Sequence, residues 1–155
     1  MTYRNYSLNA ERLMPLQYSD DKKSIRVWIS KSTSLDRVIT ITQGTDSTYS
    51  GNLIVFGHKI DDHGKKYGYY KTALIKPSSG YANFLKRVDS LSLNSYQDQK
   101  DFEVVYDYPV EIYIVEYLHN GKYTKFIFQP NLLNSTYQII EKFIESEFKL
   151  IEILK

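Results

Sequence analysis

The chain has 155 residues, a formal net charge of +2 and no cysteine. That length carries one core of ordinary size, and the charge balance gives no general attraction to nucleic acid or lipid. The missing thiol excludes disulfides, thiol catalysis and cysteine metal sites. No run of about 18 apolar residues is present, so no segment reads as a membrane helix. The first two dozen residues lack the apolar stretch of a secretory signal. The expected compartment is cytoplasmic if Met1 is the native start, and secreted or periplasmic if a signal has been removed.

Residues 1–24 are polar and irregular, with Leu8, Leu13, Met14 and Leu16 as anchors. They read as a loosely ordered arm before a single domain over 25–155. From Ser24 to Ser30, Ile25, Val27 and Ile29 alternate with Arg26 and Trp28, the period of a strand. Arg37–Gln43 is a second strand, rich in β-branched residues. The polar loop Gly44–Gly51 separates it from a third strand over Asn52–Ile60, and a short DDHGKK link leads to a fourth over Tyr67–Ile75.

Pro77-Ser78-Ser79 reads as a helix start, with Tyr81, Phe84, Leu85, Val88 and Leu91 behind it at helical spacing and Lys86, Arg87 and Asp89 pointing away. Residues 92–101 form a polar connection, and Phe102–Tyr106 reads as a short edge strand or an extension of the hairpin beyond it. Ser135 and Gln138 fit a capping box. Behind it, Ile140, Phe143, Ile144 and Phe148 form one stripe, with Gln138, Glu141, Lys142 and Glu145 facing water. The tail LIEILK is expected to continue this helix, with a strand as the alternative.

The strongest signal lies between Pro109 and Pro130. Two apolar runs meet at Asn120-Gly121, the pair that adopts a two-residue turn with both φ positive. Such a turn fixes the register: His119 faces Lys122, Leu118 Tyr123, Glu116 Lys125, Val115 Phe126, Ile114 Ile127 and Tyr113 Phe128. The opposite charges of Glu116 and Lys125 favour that alignment. One face carries Ile112, Ile114, Leu118, Tyr123 and Ile127; the other carries Tyr113, Val115, Tyr117, Phe126 and Phe128. Neither face is wet along its length, which predicts a central hairpin with a helix over one face. The expected fold is α+β: a mostly antiparallel sheet of about six strands with two helices, about 79–92 and 135–148, packed on one face.

The 15 tyrosines are the compositional oddity. Tyrosine suits half-buried strands, and it also suits binding surfaces. The run Lys65, Lys66, Tyr67, Gly68, Tyr69, Tyr70, Lys71 sets Tyr67 and Tyr69 on one strand face between lysines, the pattern of sheets that stack single-stranded bases. With Tyr67-Gly68-Tyr69 as its aromatic-glycine-aromatic core, the run resembles the aromatic strand motif of the RNA recognition motif family. Val27-Trp28-Ile29 is similar to that family's second motif. The resemblance implies a sheet surface for RNA and a helix between the first two strands. Lys66 stands where the family has glycine, and Thr72 where it has an aromatic.

His58, Asp61 and His63 offer donors for a divalent metal, and with it a small metal-dependent hydrolase, although the same residues also compose an ordinary polar turn. Glu103, Asp107, Glu111 and Glu116 are carboxylates without visible convergence. The catalytic motifs of hydrolases, metalloproteases, phosphate loops and dinucleotide sites are lacking, so no catalytic residue, metal or cofactor is assigned. Asn5-Tyr6-Ser7 and Asn134-Ser135-Thr136 fit the glycosylation sequon. The leading expectation is a non-catalytic interaction module, an inhibitor, immunity-type or accessory protein. It would bind another protein through Tyr67, Tyr69, Lys65, Lys66, Lys71, Tyr113 and Tyr117. A single-stranded nucleic-acid binder using the Lys65–Lys71 strand is the alternative.

Overall fold

The computed structural model describes residues 13–31, 36–99, 111–130 and 135–149. Strands β1 (Lys23–Lys31), β2 (Asp36–Gln43), β3 (Tyr49–Ile60), β4 (Lys66–Leu74), β5 (Glu111–His119) and β6 (Lys122–Phe128) form one sheet in the order β4-β3-β2-β1-β5-β6. Every neighbouring pair is antiparallel. Short links between alternating β-branched runs leave β1 to β4 no other arrangement than a meander. The helix α1 (Tyr81–Ser90) then carries the chain back, so that β5 lands beside β1. Among the described residues no helix separates β1 from β2, where the RNA-recognition resemblance requires one.

At the β5–β6 turn Asn120 has φ 49° and Gly121 φ 77°. Both occupy the left-handed region that a two-residue hairpin turn demands, and the register runs from His119–Lys122 to Tyr113–Phe128 as expected. The hairpin is central only in its first strand. β5 lies between β1 and β6, whereas β6 ends the sheet.

α1 and α2 (Ser135–Phe148) cover one face. Phe84, Leu85 and Val88 of α1 and Ile140, Phe143, Ile144 and Phe148 of α2 pack into a single apolar cluster with Val27, Ile29, Ile39, Ile41, Val115, Phe126 and Phe128. Phe84 stacks on Phe143 at 5.2 Å, and Tyr113 on Phe128 at 5.3 Å. Burying each large side chain contributes about 1.5–3 kcal/mol, so this cluster dominates the fold. The helices are tied at one end by Glu147 of α2. Its carboxylate accepts from Ser79 N and Oγ and pairs with Arg87, while its carbonyl accepts from Ser78 N. Ser79 is therefore engaged by α2, and α1 begins later than expected, after Gly80 at φ 84°.

The opposite face has a smaller cluster of Trp28, Val38, Phe56, Ile112 and Ile114, packed against Leu13, Ile54 and Ile127. The described part of the N-terminal arm belongs to this layer. Leu16 is buried in a 3-10 turn, Met14 O accepts from Arg26 Nη2 at 3.1 Å, and Lys22 O accepts from Asn120 N at 3.0 Å. Within the expected arm, Leu16 is thus buried and Met14 and Lys22 are tied to the sheet by their carbonyls, while Met14 and Tyr18 keep exposed side chains. α2 ends at Phe148, and Lys149 turns left-handed at φ 45°. The expected strand at Phe102–Tyr106, the Ser135 cap, both sequons, Glu103, Asp107 and the LIEILK tail lie outside the described residues.

A candidate interaction edge

The two edges of the sheet are treated differently. In β6 the two-residue turn makes His119–Lys122 a hydrogen-bonded pair, so Tyr123, Lys125 and Ile127 direct their backbone groups outward. The segment after α1 answers the last of them, Ile127, and the residue beyond the strand, Gln129. Ile127 O accepts from Gln99 N at 3.0 Å, Asp98 Oδ1 accepts from Ile127 N at 3.0 Å, and Gln99 Oε1 accepts from Gln129 N at 2.7 Å. Within the polar stretch expected only to connect, Asp98 and Gln99 form an edge cap.

At the other edge, Asp61 N donates to Lys65 O at 3.0 Å and Ile75 N to Gly51 O at 3.1 Å. Both ends of the β3–β4 ladder thus set the same alternation. Tyr67, Tyr69, Lys71 and Ala73 direct their backbone groups to β3, while Lys66, Gly68, Tyr70, Thr72 and Leu74 direct theirs outward. Among the described residues no strand pairs with this side of β4. Its side chains are exposed along the strand, Tyr69 alone being half-buried, and Leu74 is 88% accessible. An open row of donors and acceptors is a template for another strand.

The expected binding residues divide here. Lys65, Lys66 and Lys71 are exposed, as are Tyr67 and, from the opposite face, Tyr70. Tyr69 shares Tyr67's face, but its ring lies flat over Gly57, where a Cβ would come within 2.5 Å of it, and the Lys59 ammonium stands 5.0 Å from its centroid. It is engaged within the protein. Tyr113 and Tyr117 are 0% and 2% accessible beneath the helices, so neither offers a surface. The aromatic hairpin face to which they belong is core. Their hydroxyls reach the helices, Tyr113 donating to Glu145 at 3.1 Å and Tyr117 to Asp89. Burial first, then the neighbouring carboxylates, pushes both phenols above their ordinary range.

Asp61 Oδ1 accepts from His63 N at 3.0 Å and Lys65 N at 2.8 Å, which makes it the organiser of the β3–β4 turn. Among the described residues no three histidines or carboxylates gather as metal ligands.

Three polar groupings were not foreseen. Glu116 is 5% accessible. Besides facing Lys125 across the hairpin, it accepts from Trp28 Nε1 and Tyr123 OH, both at 2.8 Å, with Arg26 Nη1 at 3.6 Å. Its signal was an acid inside an otherwise apolar strand. Asp89, expected to point to water, joins Lys23 and Tyr117, with His119 Nδ1 at 3.7 Å. Partial burial works against its charge, but the bonds from Lys23 and Tyr117 and the charges of Lys23 and His119 outweigh it, and the carboxyl sits below its ordinary range. Arg37 is 2% accessible, and among the described residues neither terminal nitrogen has a hydrogen-bond acceptor. Burial lowers its pKa, while the charge of Glu145 opposes that. Apart from its place at the start of β2, nothing in the sequence marks Arg37 as buried.

No protein-family model, curated protein or solved structure matches the chain.

Proposed function

We propose that the protein is a non-catalytic interaction module that takes up an extended segment of a protein partner along β4, backbone to backbone. The observation that carries this reading is the contrast between edges. β6 is capped at Ile127 by the protein's own Asp98 and Gln99, whereas among the described residues β4 leaves five residues with outward backbone groups beside exposed Tyr67, Tyr70 and Leu74. Main-chain pairing supplies affinity in such strand addition, and alternate side chains supply selectivity. Base stacking on Tyr67 and Tyr69 is the second reading, supported by the flanking Lys65, Lys66 and Lys71. It ranks lower because the Tyr69 ring is already occupied.

The test uses Thr72→Pro, which removes an outward N–H and no bond to β3. Peptides are selected on the immobilised protein from a displayed library of random sequences and then titrated against both forms. The expected result is an unchanged circular dichroism spectrum and melting temperature, with peptide affinity reduced at least about tenfold. Peptides that bind Thr72→Pro undiminished, or a library that yields none, overturn the reading.

A further inference from the structure

Building on the edge-pairing reading, we infer that the segment received by β4 is acidic. β4 itself carries Lys66 and Lys71 and no carboxylate. Lys59 of β3 and Lys65 of the turn extend the same sign along the open end. The cations serve both faces. Lys71 and Lys59 share the helix-side face with Tyr67 and Tyr69, while Lys66 lies on the other with Tyr70 and Thr72. An incoming strand alternates its side chains between faces, so carboxylates set opposite Lys66 and Lys71, five residues apart and on opposite faces, each meet a lysine. The nearest acid, Asp61, is turned inward to the His63 and Lys65 amides, which leaves Asp62 as the one exposed carboxylate of this turn.

The same charges argue against a second copy as the occupant. Two β4 strands laid antiparallel bring Lys66 and Lys71 of both chains to one seam, with no carboxylate of either strand to answer them. Like charges across a strand pair are unfavourable, and edge lysines are a device against self-pairing. A heterologous acidic strand turns that repulsion into attraction. Nucleic acid is also anionic, but it presents no amide ladder to match the outward N–H and C=O groups of Lys66, Gly68, Tyr70, Thr72 and Leu74.

The experiment takes the selected peptides, reads their composition, and titrates them against the wild-type chain, Thr72→Pro, and a variant with Lys59, Lys65, Lys66 and Lys71 each replaced by Gln. A labelled single-stranded oligothymidylate is the competitor. The expected peptides are enriched in Asp and Glu. They weaken as salt rises from about 50 to about 200 mM, lose about tenfold or more in the lysine variant, and are not displaced by the oligonucleotide. Neutral or basic peptides that ignore the lysine variant but fail on Thr72→Pro overturn the acidic inference and leave the edge reading standing. Peptides that bind Thr72→Pro normally overturn both, as does recovery of no peptide. Displacement by oligothymidylate at equal concentration replaces the protein partner with nucleic acid.

Discussion

Trp28 Nε1 donates to Glu116 Oε2 at 2.8 Å across the seam between β1 and β5, linking residues 88 apart in sequence. The contact is diagonal, because the register places Arg26 and not Trp28 opposite Glu116. One buried carboxylate thereby serves the indole, the Tyr123 hydroxyl and the Arg26 guanidinium, which in turn holds Met14 of the arm.

Truncating Glu116 orphans several buried partners at once. Glu116→Ala is expected to cost about 3–5 kcal/mol, since it removes the carboxylate that the Arg26 charge and the Trp28 indole N–H both meet. Glu116→Gln, which retains one acceptor, is expected to cost about 1–3 kcal/mol. Urea unfolding measures both; equal costs for the two variants would show that the acceptor the amide retains contributes nothing.

Arg37 makes the opposite prediction. Its terminal nitrogens are buried without acceptors among the described residues, so its guanidinium bears a desolvation cost that those residues' hydrogen bonds do not offset. Arg37→Met keeps the long apolar stem and is expected to change stability by less than about 1 kcal/mol, or to raise it. A melting temperature lowered by about ten degrees would contradict this.

The Asp89 carboxyl is held below its ordinary range by Lys23, Tyr117 and His119. A depressed folded pKa means that the stabilisation is fully present above the unfolded value of about 3.9 and is lost as pH falls through the lower folded value. The stability gap between wild type and Asp89→Asn is therefore expected to be widest near neutrality and to close below about pH 4. Paired unfolding curves at several pH values check it; a gap that widens on acidification reverses the sign of the argument.

Two glycines of β3 are predicted to differ. A Cβ at Gly51 meets the Ile75 carbonyl at 2.0 Å, together with Ile41 and Tyr81. The first obstacle is backbone, so Gly51→Ala is expected to cost about 1–3 kcal/mol or more. At Gly57 the obstacle is the Tyr69 ring, which swings on its own bonds. Gly57→Ala is expected to cost less, and thermal melting of the two variants ranks them.

The local features were legible because their causes are local. Asn120-Gly121 announced a turn, the turn set six pairs of the register, and period-two and helical spacings located the strands and both apolar stripes. The Tyr113–Phe128 face was recognisable as apolar, yet whether it met helices or a partner depended on where α1 and α2 came to rest. Tyr113 and Tyr117 were misassigned to a surface for that reason, and Asp89 and Glu145 to water. The edge cap was invisible because Asp98 and Gln99 carry no motif; they act only by lying beside β6.

Backbone dihedral preference and side-chain period operate over a few residues, so the chain's own order of letters was enough to dictate turns, strands, stripes and an α+β class. Burial and edge exposure depend on which distant segments meet. The 88-residue reach from Trp28 to Glu116, and the contrast between a β6 capped at Ile127 and a β4 open among the described residues, arise from folding in three dimensions. No short-range rule could have distinguished Lys66 on a free edge from the same residue on a covered one.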